Sequence, residues 1–226
     1  MYLCKEIQLY IKMSDSSKYD FKIEDASKVF FTSDTHFNHF NIIKSCSRPF
    51  KDEIEMNEAL IENWNKVADD DSVIFHLGDF AWGHFGKWLP ILKRLKGHII
   101  LVKGNHDFKN GPRTTEQEDE GFDYVAQQLY LRIEGRPVFL NHFPFLCYGG
   151  TYREPKDVVY QLYGHVHSGP VSKGGLDVPR LIHTFPSQYD VGVDNNNYTP
   201  VSWYEVDRKI QEQIKNSIEN EDISNS

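Results

Sequence analysis

The sequence predicts an α/β fold built on a mainly parallel sheet, and three observations predict it. Five short apolar runs, Val29–Phe31, Val73–Leu77, His98–Val102, Val138–Leu140 and Val158–Tyr163, read as buried strands. Stretches with apolar residues at helical spacing separate the first three, so strand and helix alternate and call for right-handed parallel crossovers. Each run also ends in residues that carry chemistry, and the carboxyl ends of strands are where sites form in open α/β sheets.

The 226 residues suit one domain, 1–226, large enough for a full core, and 39% hydrophobic with 14% aromatic residues indicates a packed interior. A net charge of −8 and a pI near 5.7 argue against a chain that coats long nucleic acid. The three cysteines, Cys4, Cys46 and Cys147, form no CxxC pair, so neither a thiolate zinc site nor a disulfide framework is indicated. No signal-peptide core and no stretch of about 20 apolar residues occurs, which predicts a soluble, cytoplasmic protein without membrane contact.

Taken in order, residues 1–28 predict N-terminal edge strands, with alternation in Ile7–Ile11 and a second short run at Phe21–Ile23. Val29–Phe31 leads into Asp34-Thr35-His36, where residues two apart in extended chain address one point. Ile54, Leu60, Ile61, Trp64 and Val67 mark an amphipathic helix over 51–68, followed by a solvated Asp69–Asp71 loop. The second run contains His76, read as a core histidine, and ends in Gly78-Asp79. A helix from Lys87 to Lys96, with Trp88, Leu92 and Leu95 on one face, stops at Gly97.

The third run ends in Gly104-Asn105-His106-Asp107, an amide, an imidazole and a carboxylate in succession. Residues 109–124 read as an acidic loop or short helix. The fourth run ends in Asn141-His142 and the fifth in Gly164-His165-Val166-His167. A glycine- and proline-containing loop follows over 168–180. Further edge strands are expected around Leu181–His183 and Val201–Tyr204, then a short helix in the polar tail 207–226.

Together the strand-end residues are Asp34, His36, Asp79, Asn105, His142, His165 and His167. Seven oxygen and nitrogen donors exceed what one tetrahedral zinc takes and suit two ions with a shared carboxylate. Carboxylate, amide and imidazole donors without thiolate favour Mn, Fe, Zn or Ni. Any one of these histidines alone would more often be a packed or surface residue; five ordered blocks at five strand ends change that balance.

The blocks DTH at 34–36, GD at 78–79, GNHD at 104–107, NHFP at 141–144 and GHVH at 164–167 resemble the calcineurin-like metallophosphoesterases, in that family's order, with a compact microbial or phage-type branch suggested by Thr32–His39 and Asn41–Ile43. The resemblance implies a four-layer αββα sandwich of two mixed β-sheets flanked by helices. It also implies that Asp34, His36 and His167 bind one metal and Asn105, His142 and His165 a second, with Asp79 between them. His106 would stand near the leaving group and Asp107 would orient it. Asn141 departs from the glycine common before the fourth-block histidine, which leaves the ligand in place.

The activity so implied is hydrolysis of a phosphate monoester or diester, of small nucleotide type, by a hydroxide generated at the metals. Asn38, His39, Arg48 and Tyr148 are candidate substrate contacts, with Trp82 and Arg113 as further candidates and His183 as a late histidine. A nuclease acting on DNA or RNA is the alternative, less favoured for want of Lys/Arg clusters. A non-catalytic metal-bound scaffold is a third reading, weakened because every ligand position is filled. Oligomeric state is not legible in the sequence.

Overall fold

Two burial patterns mark two kinds of strand. In the computed structural model, which describes residues 11–13, 20–110, 121–150, 158–168 and 185–224, β4 (Val73–His76) and β5 (His98–Val102) are buried on both faces. In β7 (Leu129–Ile133) burial alternates instead, with Leu129, Leu131 and Ile133 inward. Two-sided burial belongs to parallel strands under helices, and alternation to strands with one wet face.

The first kind builds a five-stranded sheet in the order β11-β3-β4-β5-β6, where β3 is Val29–Thr32, β6 Tyr124–Ala126 and β11 Val201–Ser202. Its β3, β4, β5 and β6 run parallel, and β11 pairs antiparallel with β3. A six-stranded sheet has the order β1-β2-β7-β8-β9-β10, with β1 Ile11–Met13, β2 Phe21–Ile23, β8 Arg136–Leu140, β9 Tyr160–Tyr163 and β10 Gln188–Asp190. Only β1–β2 and β7–β8 are antiparallel there.

The sheets stack on one core. Phe31, Phe75, Ile100 and Val102 from the five-stranded sheet meet Phe21, Leu131, Leu140 and Leu162 from the six-stranded one. The opposite face of the five-stranded sheet, with Ile74, Ile99 and Leu101, lies under α2 (Glu53–Val67) and α3 (Leu89–Leu92), while the short helix α1 (Phe40–Ser45) follows the first strand-end block and α4 (Asp107–Asn110) starts at the last residue of the third. Helix α5 (Trp203–Ser224) packs against β10, β11 and β3, and sends Trp203, Val206 and Ile210 into the inter-sheet core. The result is an α/β sandwich of two mixed sheets with helices.

Local chemistry sets the helix limits. Asp52 caps α2 by accepting from the Glu55 N–H, and Met56, Leu60, Ile61 and Trp64 form its buried face. Ile54, expected on that face, is 69% exposed. The helix expected over 87–96 is shorter: Pro90 lacks an N–H and sits at its first turn, so a separate 3₁₀ turn at Phe85–Lys87 precedes α3. The strand expected over 201–204 ends at Ser202, because the Ser202 hydroxyl accepts from the Glu205 N–H and starts α5. Strands β6, β7 and β10 were not anticipated. Residues Ile7–Tyr10, 111–120 (Arg113 included), 169–180 and Leu181–His183 lie outside the described residues.

Candidate metal centre

The five expected blocks come from both sheets. Three follow β3, β4 and β5, and two follow β8 and β9, so the site spans the strand ends of the whole sandwich. The loops are knitted together: Asp34 N–H donates to Gly78 O at 2.9 Å, His36 N–H to Asp79 O at 3.0 Å, and Gly164 N–H to His142 O at 3.0 Å.

Asp34 and His36 do not converge by strand pleating, as expected from their spacing. β3 stops at Thr32, and both residues have left-handed backbone, φ 57° and 49°. Asp79, His165 and His167 share this conformation at φ 56°, 72° and 49°. Non-glycine residues held there cost on the order of 1–3 kcal/mol each and cluster at functional sites. Close approach is met by glycine: a Cβ on Gly164 would overlap Ser33 Oγ and Asp34 Oδ2, and one on Gly104 would overlap Asp79.

Among the described residues three groups of side chains could each hold a cation: Asp34, His36 and His167; Asp79, His142 and His165; and, behind His167, Cys46, His167 and Asp194, while the first two meet at the strand ends. Asp79 Oδ2 joins these first two, 3.5 Å from His36 Nε2 and 3.5 Å from His142 Nε2. Asn105 Oδ1 lies 3.0 Å from His142 Nε2, while His106 Nε2 is 3.9 Å from Asp79 Oδ2. The donors also fit metal by what they lack. Asp34 Oδ1 and His36 Nε2 are two of four buried polar side-chain atoms without a hydrogen-bond partner among the described residues.

Ring orientation is set from behind. Nδ1 of His142 is 2.7 Å from Leu77 O, and Nδ1 of His167 is 2.8 Å from Asp194 Oδ2. The partners assign the proton to Nδ1 in both, which turns each Nε2 toward the centre. Burial pushes the His142 imidazole down to about 4 and holds His36 well below the ordinary range, so both offer lone pairs. Burial, with Asp34 and Asp107 nearby, pushes Asp79 up to about 8, a crowding of carboxylates that a cation would relieve. Burial would depress His167, but Asp194 and Asp34 hold it well above its usual value.

Four of the other expected residues have partners within the protein. Arg48 does not face substrate: it is buried, its Nε and Nη2 meet Asp194 at 2.9 and 2.8 Å, and it donates to the carbonyls of Asp34 and Thr35. It braces the first loop and, through Asp194, His167. Asp107 does not orient His106. Its oxygens accept from the N–H groups of Asp79, Phe80 and Gly104, tying the second and third loops. Asn38 is occupied with Asn57, its Oδ1 2.8 Å from Asn57 Nδ2. The Tyr148 hydroxyl lies 2.7 Å from Ser187 Oγ, and its ring packs on Phe145 and Phe185.

His39 stays at the site, with Nδ1 3.2 Å from His36 Nδ1. His76 is a core histidine with both ring nitrogens engaged, by Thr35 Oγ1 and the Gly78 N–H. Asp194 was missed; a late aspartate in Val191-Gly192-Val193-Asp194 gives no sign that it stands behind His167.

A two-sheet sandwich whose shared strand ends gather aspartates and imidazoles around partnerless buried atoms defines a metal-binding α/β protein. Residues 27–165 match the calcineurin-like phosphoesterases, and the chain belongs to that family of metal-dependent phosphoesterases, hydrolases of phosphate esters. It is 33% identical over 177 residues to an uncharacterized protein of Methanocaldococcus jannaschii, covering 77% of this chain and 86% of that one. It is also similar to the crystal structure of a protein of unknown function from Aquifex aeolicus, with a TM-score of 0.57 and 30% identity over 80% of this chain and 97% of the other.

Proposed function

We propose that the chain hydrolyses a small, nucleotide-type phosphate ester with two divalent ions held side by side and Asp79 shared between them. The observation that carries this reading is Asp79 Oδ2, equidistant at 3.5 Å from an imidazole of each donor group. Asp34, His36 and His167 would hold one ion and Asn105, His142 and His165 the other; Mn, Fe, Zn or Ni suits such donors. Bound there, the ions would lower the pKa of a water and neutralise charge on phosphoryl oxygens.

The remaining work belongs to the chain. Leu77 O and Asp194 keep His142 and His167 in the ligating tautomer. The His106 side chain is 38% exposed and lies beside Asp79, and burial holds its imidazole below the ordinary value, so its Nε2 can donate a proton or a hydrogen bond to the leaving oxygen. The chain's acidity favours a small substrate over extended nucleic acid. Cys46 and Cys147 as free thiols suit a reducing, cytoplasmic setting, and no helix among the described residues is long and apolar enough to cross a membrane.

The test is a screen of p-nitrophenyl monoester and diester substrates with Mn, Ni, Zn and Mg, followed by linear and cyclic nucleotides and a labelled oligonucleotide. Metal-dependent turnover that falls off from nucleotide to oligonucleotide is expected. Faster cleavage of the oligonucleotide would favour the nuclease reading, and no turnover with any metal would refute the assignment.

A further inference from the structure

Trp64, Trp88 and Trp203 are buried at 1%, 0% and 3% exposure, as large aromatics usually are; the fourth tryptophan, Trp82, is 44% exposed. Its position is not that of a loose surface ring. The indole stacks on His39 with centroids 4.2 Å apart and planes 12° from parallel, and lies 5.4 Å from His106. His39 in turn touches His36 through Nδ1. The stack therefore begins at the first donor group and ends beside the histidine assigned to the leaving oxygen.

The pair is also held in place by backbone. Trp82 N–H donates to Phe37 O at 2.7 Å, Phe37 pairs with Ala81 in an isolated parallel bridge, and Phe37 N–H donates to Phe80 O at 2.9 Å. The chain segments before His39 and Trp82 are thus tied to each other, and the rings are pre-organised. A rigid, exposed aromatic surface beside a polar centre gives a planar ligand stacking area without an ordering cost.

We propose that Trp82, backed by His39, is a specificity-determining platform that stacks on a nucleobase carried by the leaving group. The inference rests on the phosphoesterase reading above and adds where the organic part of the substrate lies: past His106, on the indole. A base-bearing ester gains this contact, whereas the same ester without its base does not.

The discriminating pair is AMP and ribose 5-phosphate, which share the leaving oxygen and differ by the base; for an enzyme that prefers diesters, their methyl esters serve, read as release of methyl phosphate with adenosine or ribose as the leaving alcohol. The readout is the ratio of kcat/KM for the two, in wild type, Trp82→Ala and Trp82→Phe, with metal content measured for each protein. The ratio is expected to favour AMP in wild type, to fall about ten-fold in Trp82→Ala, and to recover largely in Trp82→Phe, as loss and return of one stacking contact predict. An unchanged ratio in Trp82→Ala overturns the platform while leaving the phosphoesterase reading intact. Wild-type protein that is metal-loaded yet cleaves neither ester of either pair overturns both.

Discussion

Asp79 carries more of the site than any other residue, and its chemistry is costly without cations. Its carboxyl is buried beside Asp34 and Asp107 and raised to about 8. A carboxyl raised on folding favours the folded state at acid pH, and that benefit is lost as pH rises from its ordinary value near 4 through about 8. In metal-free protein, Asp79→Asn should therefore gain Tm relative to wild type progressively from pH 4 to 8, while binding less metal. Scanning calorimetry after chelation measures the difference; a constant Tm gap across that range would contradict the crowding.

His106 makes the opposite prediction. It lies within reach of the centre but stands half-exposed at its edge. His106→Ala should keep its metal and its Tm while turnover drops about 10²–10⁴-fold, the range for loss of a positioned proton donor. Turnover within a few-fold of wild type would remove that role.

Among the elements, α5 shows what the sequence did and did not disclose. Ile210, Ile214 and Ile218 four apart mark a helix, but Val201-Ser202-Trp203-Tyr204 reads as strand and hides its start. The S-x-x-E spacing is a helix start, and it was outweighed by the apolar Val201, Trp203 and Tyr204. Ser202→Ala should cost about 1 kcal/mol. Ile210→Ala, at a fully buried position, should cost about 2–5 kcal/mol. Ile218→Ala, at 47% exposure, should stay within about 0.5 kcal/mol. Urea unfolding of the three variants tests the order, and equal losses at 210 and 218 would contradict the packing.

The hairpin β7–β8 is a second case. Glu134 and Gly135 both have positive φ, 45° and 85°, the geometry of a tight two-residue turn. Glutamate is not a usual turn residue, so the Leu129–Ile133 alternation before it went unread. The five strand-end blocks were legible because each joins an apolar run to polar residues of fixed type. Their convergence was legible too, though its cause was not: left-handed backbone at Asp34 and His36 leaves no mark in composition.

At the scale of the molecule, the centre bridges the two sheets. Asp34, His36, Asp79 and Asn105 follow strands of one, and His142, His165 and His167 follow strands of the other. Division of the five blocks between two sheets could not be read from their order. Ions held here would link both halves of the sandwich, so chelation should lower Tm for the whole protein in one transition. Free metal at 100 times its Kd contributes about 2.7 kcal/mol per independent site. Glycine at the crossing matters for the same reason: Gly164→Ala, which drives a Cβ into Ser33 and Asp34, should weaken both folding and metal loading.

Metal stoichiometry tests the shared-carboxylate centre most directly. Protein stripped by chelation, reloaded with Mn and passed through a desalting column should retain two ions per chain by mass spectrometry of the metal. Asp79→Asn should lose affinity at both positions together. One ion per chain in wild type, or full wild-type occupancy in Asp79→Asn, would contradict a pair of neighbouring cations joined by Asp79.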